Sequence, residues 1–231
     1  MTAIGVVRSP FKEKFGIPRQ PDLCSVKSTL ILNAPGMTMD CLAGLTLHSH
    51  IWVLFQFHQN LDKGWKAKVR PPRLGGNDKL GVFATRSSFR PNGIGMSAVK
   101  LLAVDSQHGQ PCILVEGLDL VDGTPILDIK PYVPYSDSIQ SANSEMAPAP
   151  PASLLQVTLS AQAEDCLTKY SQRHPDLPEL IKQVLAQDPR PSYKKNKIDE
   201  KTYGIRLYNF NIRWQITDDL CHVLSIEEEG K

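Results

Sequence analysis

The segment VFATRSSFRPNGIGMS, residues 82–97, combines two arginines with a glycine-containing turn. Arg86 and Arg90 lie four residues apart and precede Gly93 and Gly95. Guanidinium groups beside glycine-rich backbone supply the N–H donors that bind a phosphate or a carboxylate. The same residues are also typical of an exposed hairpin with two solvated arginines, and the segment by itself leaves both interpretations open.

Basic residues are concentrated in two other stretches, KGWKAKVRPPR (63–73) and PRPSYKKNKIDEKTYGIRLYNFNIRW (189–214), and both contain interleaved aromatic residues. Cations that bind phosphates and rings that stack on bases are the side chains with which proteins hold single-stranded RNA. A solvated basic face whose aromatic residues belong to the core is the alternative. The RNA-binding candidates are Lys66, Lys68, Arg70, Arg90, Arg190, Tyr193, Lys194, Lys195, Lys197 and Arg206.

Metal chemistry is not expected. His48 and His50 share a face of a predicted strand with His58, but His58 is one long strand away at roughly 3.3 Å per residue. The five cysteines form no CxxC pair and are odd in number, which argues against a zinc site and against a disulfide framework. The chain also has no Walker A loop, no Gly-x-Ser-x-Gly and no His-Glu-x-x-His. The residues alone therefore predict a β domain that binds RNA or a small anion.

Residues 1–136 are predicted to be mainly β. Short β-rich runs alternate with Gly/Pro turns, as is typical of a closed or sandwiched β domain. The predicted strands are Ile4–Val7, Thr29–Leu32, Leu47–His58, Gly81–Thr85, Ser97–Val104, Cys112–Leu118 and Pro125–Ile129. Residues 137–153, rich in Ser, Ala and Pro, are predicted to be a linker.

Residues 154–231 are predicted to form a small α+β domain. A strand at 154–163 and a helix at 163–174 come first, followed by a helix in DLPELIKQVLAQ with Asp176 as N-cap. The stretch 202–216 is predicted to be one strand with a bulge or a bend between Leu207 and Tyr208, where the apolar phase changes. A turn at 217–219 then leads into a last strand.

No apolar run reaches the length of a membrane span, and the N-terminus lacks the apolar segment of a secretory signal. We therefore expect a cytoplasmic protein without a membrane association.

Several long motifs resemble the TsaA-like (YaeB/TrmO) family of tRNA methyltransferases. They are IGVVRSPFKEKFGIPRQP, RPPRLGGNDKLGVFATRSSFRPNGIGMS and LDLVDGTPILDIKPYVPYSDS, and in the C-terminal domain VLAQDPRPSYKK and YGIRLYNFNIRW. The resemblance implies a β-barrel rather than a Rossmann fold, S-adenosylmethionine as cofactor, tRNA as partner and a homodimer. It also implies N6-methylation of threonylcarbamoyladenosine at tRNA position 37.

The same resemblance implies roles for individual residues. Those expected around the cofactor are Pro18, Arg19, Gln20, His58, Gln59, Arg86, Met96, Val121, Asp122, Gly123 and Thr124. Arg86 and Arg19 are candidates for the cofactor's carboxylate, and Met96 with the turn at 121–124 for its adenine. The resemblance also indicates that proline is tolerated at Gly93.

The substrate nitrogen must lose a proton when it is methylated. Asp122 and Asp128 are candidate proton acceptors, as is a group on the substrate itself, and capping a turn amide is an equally good interpretation of each aspartate. Two other functions stay open: an RNA-binding β-barrel protein without catalysis, and a methyltransferase of the same fold that acts on a small molecule.

Overall fold

The computed structural model describes residues 1–71, 78–149, 155–191, 194 and 201–230. The mainly β composition predicted from the sequence is confirmed: within these residues the chain forms twelve strands, β1–β12, and three short α-helices, α1–α3. No helix in the described part of the chain is both long and apolar enough to span a membrane.

The N-terminal region forms a closed barrel of six antiparallel strands in the order β1-β2-β7-β6-β3-β8, and β8 pairs with β1 to complete the ring. A separate two-stranded ladder joins β4 to β5, and a short helix, α1 (Pro134–Asp137), follows the last barrel strand. The eight strands of this region are β1 (Gly5–Arg8), β2 (Lys27–Ile31), β3 (His50–Gln56), β4 (Lys68–Val69), β5 (Leu80–Gly81), β6 (Ile94–Gln107), β7 (Gln110–Glu116) and β8 (Pro125–Pro131).

The alternation of residues in β3 shows why the barrel closes. Ile51, Val53 and Phe55 are at most 3% exposed and point into the barrel, while the residues between them are exposed or half-buried. Successive side chains of a strand point to opposite faces, so a strand with one apolar face buries that face against its neighbours. The prediction of a strand ending at His58 was too long, since a 3₁₀ helix, His58–Lys63, begins there.

The predicted strand Gly81–Thr85 is wrong. Only Leu80–Gly81 pairs, and Val82–Ala84 form a 3₁₀ turn. Val82 is buried but Phe83 is 75% exposed, so the β-forming residues here have no second strand to pack against. Arg86 therefore lies in a loop between β5 and β6 and not at the end of a barrel strand.

The C-terminal region is a four-stranded sheet in the order β10-β11-β12-β9, with β9 parallel to β12. The helix predicted in DLPELIKQVLAQ is confirmed as α3, although the Asp176 side chain makes no capping bond and instead accepts a hydrogen bond from Tyr208 Oη. The elements are β9 (Gln156–Leu159), α2 (Ala161–Tyr170), α3 (Leu177–Ala186), β10 (Tyr203–Leu207), β11 (Phe210–Thr217) and β12 (Leu220–Glu228).

The predicted single strand over 202–216 is wrong. Leu207 pairs with Phe210, so Tyr208 and Asn209 form a two-residue hairpin turn between β10 and β11. Tyr208 has φ +54°, in the left-handed region that such tight turns require. The change of apolar phase after Leu207, where a bulge or a bend was predicted, coincides with this turn. The bulge in this sheet lies between Arg213 and Trp214.

Residues 9–26, here called the connecting segment, join β1 to β2 and leave the barrel to pack against the C-terminal region. Phe11, Cys24 and Val26 are at most 3% exposed and belong to the C-terminal hydrophobic core. Tyr208 N–H donates to Pro10 O at 2.7 Å, and Gln187 Nε2 donates to Leu23 O at 3.0 Å. The two regions therefore share this segment.

Candidate active site

A pocket of about 230 Å³ opens at one end of the barrel, where β3 ends and β6 and β8 begin. Three parts of the chain form most of it: the connecting segment, the end of β3 with the 3₁₀ helix after it, and the connection from β7 to β8. Its lining residues are Lys14, Ile17, Phe55, Gln56, Phe57, His58, Gln59, Asn60, Ser88, Asp119, Leu120, Val121 and Thr124.

The aromatic side of the pocket depends on Gly95. The rings of Phe55 and Phe57 meet edge to face with centroids 5.1 Å apart. A Cβ on Gly95 would lie 2.4 Å from the Phe55 ring and 2.8 Å from the Phe57 ring. Glycine at this position thus allows both rings to approach β6, which explains the second glycine of PNGIG.

Gly93 has φ +59° and donates its N–H to Arg90 O at 3.1 Å. Proline holds φ near −65° and has no N–H. The expectation that proline is tolerated at this position is therefore wrong for this structure, since the turn needs a positive φ and a backbone N–H at residue 93.

A polar network also lines the pocket. Lys14 Nζ donates to Gln59 O at 2.9 Å and to Asn60 Oδ1 at 2.6 Å. Asn60 Nδ2 in turn donates to Ser88 Oγ at 2.5 Å. Burial, with a smaller contribution from the nearby Lys63 charge, lowers the pKa of Lys14. Lys14 was not among the predicted site residues, although it lies in the motif SPFKEKFGIPRQP.

Asp119 is a pocket carboxyl that the sequence analysis also missed. It is half-buried, and Ser97 Oγ donates to its Oδ1 at 2.6 Å. Burial raises the pKa of Asp119, and the Ser97 hydrogen bond and the Arg86 charge oppose that shift. The signal was present in the quoted motif LDLVDGTPILD, where Asp119 precedes the two aspartates that were selected.

Asp122 and Asp128 are both engaged elsewhere. Asp122 accepts from Ser9 N–H at 3.0 Å and from Lys12 Nζ at 2.8 Å. Asp128 Oδ1 accepts from the backbone N–H of Ile129 at 2.9 Å, and its other oxygen lies 3.3 Å from Lys130 Nζ. Neither lines the pocket. Asp128 thus binds the adjacent backbone amide, whereas Asp122 joins the turn at 121–124 to Ser9 and Lys12 of the connecting segment.

The two arginines of the opening segment have different surroundings. Arg86 is exposed, and its Nη1 donates to Gln20 Oε1 at 2.5 Å. Arg90 Nη1 donates to Thr85 O at 2.7 Å and to Val82 O at 3.2 Å. Arg90 thus holds the loop that carries Arg86.

The structure brings together part of the predicted cofactor site. His58, Gln59, Val121 and Thr124 line the pocket, and Thr124 Oγ1 donates to Val121 O at 2.7 Å, closing the turn that contains Asp122 and Gly123. Gln20 does not line the pocket, and it accepts a hydrogen bond from Arg86. The residues of the predicted set that do not line the pocket are Pro18, Arg19, Gln20, Arg86, Met96, Asp122 and Gly123.

Met96 faces away from the pocket. Its neighbour Ser97 is 3% exposed and points into the barrel, while Met96 is 54% exposed. Alternation along β6 therefore places the Met96 side chain on the outer surface of the barrel.

The predicted RNA-binding residues are dispersed. Lys66, Lys68 and Arg70 are exposed beside the Arg86 loop, where Lys66 N–H donates to Phe89 O at 3.2 Å and Lys68 pairs with Gly81. Arg206 is exposed on β10 and lies 3.1 Å from Glu229. Lys194 is half-buried and donates its N–H to Pro191 O. Tyr193, Lys195 and Lys197 lie outside the described residues.

Arg190 requires a correction. It was predicted to bind RNA, but it is 4% exposed, and its Nε and Nη2 donate to the two oxygens of Asp188 at 2.9 and 3.0 Å. A side chain enclosed in this way does not reach a phosphate. The sequence shows that Arg190 is basic, but it does not show whether the side chain is exposed or forms a buried ion pair.

No cluster of three or more His, Cys, Asp or Glu side chains suited to a metal ion occurs among the residues that the structure describes. His50 is instead close to Tyr132, with ring centroids 6.3 Å apart.

Two family profiles match the chain. The profile of the tRNA-methyltransferase O N-terminal domain matches residues 6–138, and that of the TrmO C-terminal domain matches residues 152–229.

Individual proteins resemble the chain over all or part of its length. A tRNA (adenine(37)-N6)-methyltransferase of Escherichia coli is 48% identical and covers 97% of this chain and 96% of its own length. A protein of Methanothermobacter thermautotrophicus named as a probable S-adenosyl-L-methionine-binding protein is 40% identical over 136 residues, 59% of this chain and 91% of its own length. A crystal structure of TrmO from Pseudomonas aeruginosa superposes with a TM-score of 0.80 at 40% identity, covering 98% of this chain and 96% of that one.

Proposed function

The chain belongs to the tRNA-methyltransferase O family, and on that premise we propose its complete reaction. It is an S-adenosylmethionine-dependent tRNA (adenine37-N6)-methyltransferase. We propose that the base it methylates is threonylcarbamoyladenosine. The observation that supports the proposal is the match of both family domains over nearly the whole chain, together with a pocket to which three of the shared motifs contribute residues.

The pocket suits S-adenosylmethionine in its chemistry. Its aromatic and aliphatic side fits an adenine ring, and ligand pockets are typically apolar with a few placed polar groups. We propose that His58, Gln59 and the turn Val121–Thr124 hold the cofactor, with Arg86 and Gln20 at the margin. Pro18 and Arg19 complete the proposed set, from which Met96 is left out because its side chain lies on the outer surface of the barrel. When bound, the cofactor supplies an electrophilic methyl group.

The chain's own contribution is alignment and proton removal. Methyl transfer is an in-line displacement, so holding the substrate nitrogen in line with the methyl carbon supplies much of the acceleration. Asp119 is the pocket carboxyl that we propose as acceptor of the N6 proton, since Ser97 holds its Oδ1 and leaves Oδ2 for a substrate. A raised pKa makes a carboxylate a stronger base once it is ionised.

For tRNA, we propose that Lys66, Lys68 and Arg70 bind phosphates close to the pocket and that Arg206 extends the contact on the C-terminal region. Phosphate contacts of this kind give affinity that falls with salt. We propose further, from the family resemblance, that residues 1–136 form the catalytic domain and residues 154–231 the tRNA-contacting domain of a cytoplasmic homodimer.

The deciding experiment is methyl transfer to two preparations of the same tRNA, with and without the threonylcarbamoyl group. We expect turnover only with the modified tRNA. Equal activity on both would exclude the proposed substrate. Calorimetry with S-adenosylmethionine serves as the second measurement: tRNA binding without cofactor binding would indicate an RNA-binding protein without catalysis.

A further inference from the structure

The ammonium group of Lys14 lies at the rim of the pocket. Lys14 Nζ donates to two neutral oxygens, the carbonyl of Gln59 and the side-chain oxygen of Asn60. An ammonium group has three N–H donors, so these two bonds leave one for a ligand. Among the described residues, no carboxylate lies within ion-pair distance of Lys14.

Two anchors keep Lys14 at this position. On one side it is bound to the 3₁₀ helix His58–Lys63, whose Asn60 is in turn held by Ser88. On the other side its neighbours Phe15 and Ile17 pack against the C-terminal core. Gly16, at φ +82°, lies so close to Ile205 that a Cβ there would be 2.0 Å from Ile205 Cδ1. These contacts hold the exposed Lys14 side chain at the rim of the pocket.

The charges around Lys14 favour an anion. Burial and the Lys63 charge lower the pKa of Lys14, so both disfavour its cationic form. A bound anion would offset that cost, because an opposite charge within a few ångströms stabilises an ammonium group. His58 and Asp119 are the other ionisable side chains of the lining, and neither is hydrogen-bonded to Lys14.

We propose that Lys14 binds a carboxylate in this pocket. The inference rests on the proposed function, in which both reactants carry one: the methionyl carboxylate of the cofactor and the threonyl carboxylate of the modified base. Lysine binds such a group as a point charge with a charge-assisted hydrogen bond. Neither the sequence motifs nor the comparisons give Lys14 this role.

The test compares Lys14→Met with Lys14→Arg, which keeps the charge, and with Lys100→Met. Lys100 is exposed on the barrel and pairs with Glu116, so its replacement is a control for the loss of one positive charge. Calorimetry measures the Kd of S-adenosylmethionine and of its decarboxylated form. Steady-state kinetics with threonylcarbamoylated tRNA measures KM and kcat, and thermal unfolding checks that each variant is folded.

If the cofactor's carboxylate is bound, Lys14→Met raises the Kd of S-adenosylmethionine by about tenfold to a hundredfold, the effect of a charged hydrogen bond, and leaves that of the decarboxylated form unchanged. If the substrate's carboxylate is bound, the cofactor Kd is unchanged and KM for the modified tRNA rises by a similar factor. In both cases Lys14→Arg keeps most of the affinity.

Two results would overturn the proposal. The first is that Lys14→Met changes neither the Kd of S-adenosylmethionine nor the KM for the modified tRNA, and the second is that it weakens binding of S-adenosylmethionine and of its decarboxylated form by the same factor. The second result would show that Lys14 only supports the fold of the pocket. Failure of the unaltered protein to bind S-adenosylmethionine at all would count against the proposed function itself, and is thus distinguishable.

Discussion

The two hydrophobic cores of this protein are built differently. The barrel core consists of residues from the barrel strands and their connections, from Val7 to Ile126. The C-terminal core consists of residues 163–226 together with Phe11, Cys24 and Val26 of the connecting segment. The barrel therefore completes its own core, while the C-terminal region takes part of its core from the segment that also forms a wall of the pocket.

This difference gives the C-terminal region a structural role beside its proposed contact with tRNA. Lys14 and Ile17 line the pocket, and residues on both sides of them pack against β10 and α3. The pocket at the end of the barrel is thus supported from outside the barrel. The buried charges differ as well: the C-terminal region pairs Asp188 with Arg190, whereas Asp119 in the pocket has the hydroxyl of Ser97 as its partner.

The largest expected effect comes from Arg190→Met. Asp188 is 7% exposed, and losing this guanidinium from a buried pair typically costs about 3–5 kcal/mol of unfolding free energy. We expect denaturant unfolding to show a loss of that size, and the double variant Asp188→Asn/Arg190→Met to recover part of it, because it leaves no unpaired buried charge and asparagine tolerates the φ of +48° at this position. A loss of tRNA affinity without a loss of stability would restore the RNA-binding role predicted for Arg190.

Gly16→Ala tests whether the C-terminal region supports the pocket. The added methyl group would meet Ile205 Cδ1 and push the connecting segment away from β10. If the displacement costs about 1.4 kcal/mol of binding free energy, the Kd of S-adenosylmethionine rises about tenfold. Adding Ile205→Val, which removes that Cδ1, should restore part of the affinity.

Gly36→Ala is the matched control for Gly16→Ala. Gly36 has a similar φ of +84°, and its Cβ would meet nothing within 4 Å. It therefore introduces the same backbone strain, roughly 1–2 kcal/mol, without a contact between the two regions. Equal effects of the two alanines on cofactor affinity would contradict a supporting role for the C-terminal region.

Asp119→Asn should have the smallest effect on stability. Burial raises the pKa of Asp119, so the folded state binds more protons than the unfolded state at pH values just above the ordinary carboxyl pKa. The contribution of Asp119 to the free energy of unfolding is therefore present at low pH and is lost as the pH rises through the pKa of Asp119 in the folded state. We expect the asparagine variant to lack this decline, and to lose methyl transfer while keeping cofactor affinity. Unfolding curves from pH 3 to pH 8 and single-turnover rates measure the two effects.

Alternation and turn chemistry made much of the fold predictable. β3 and α3 follow directly from the spacing of their apolar residues, and the hairpin between β11 and β12 follows from Thr217-Asp218-Asp219. Gly81–Thr85 was mistaken for a strand because β propensity reflects packing against a neighbouring strand, and Phe83 has none. The β10–β11 turn was missed because Tyr208 adopts a positive φ that is uncommon for a non-glycine residue.

The site was less predictable than the fold. Val121 and Thr124 line the pocket, as do His58 and Gln59, but motif membership alone did not separate Asp119 from Asp122 and Asp128. The three aspartates are within ten residues of one another, and only their hydrogen-bond partners distinguish them. Arg190 was misassigned for a related reason, since the sequence shows a charge but not its burial.

The sequence by itself determined the local structure and the kind of chemistry: strands with one apolar face, a glycine turn before β6, and motifs shared with a methyltransferase family. Only the tertiary structure decided which of those residues meet. Lys14 and Asp119 line one pocket although 105 positions separate them in the chain. They do so because the C-terminal core binds the apolar residues of the connecting segment and so holds it against the end of the barrel.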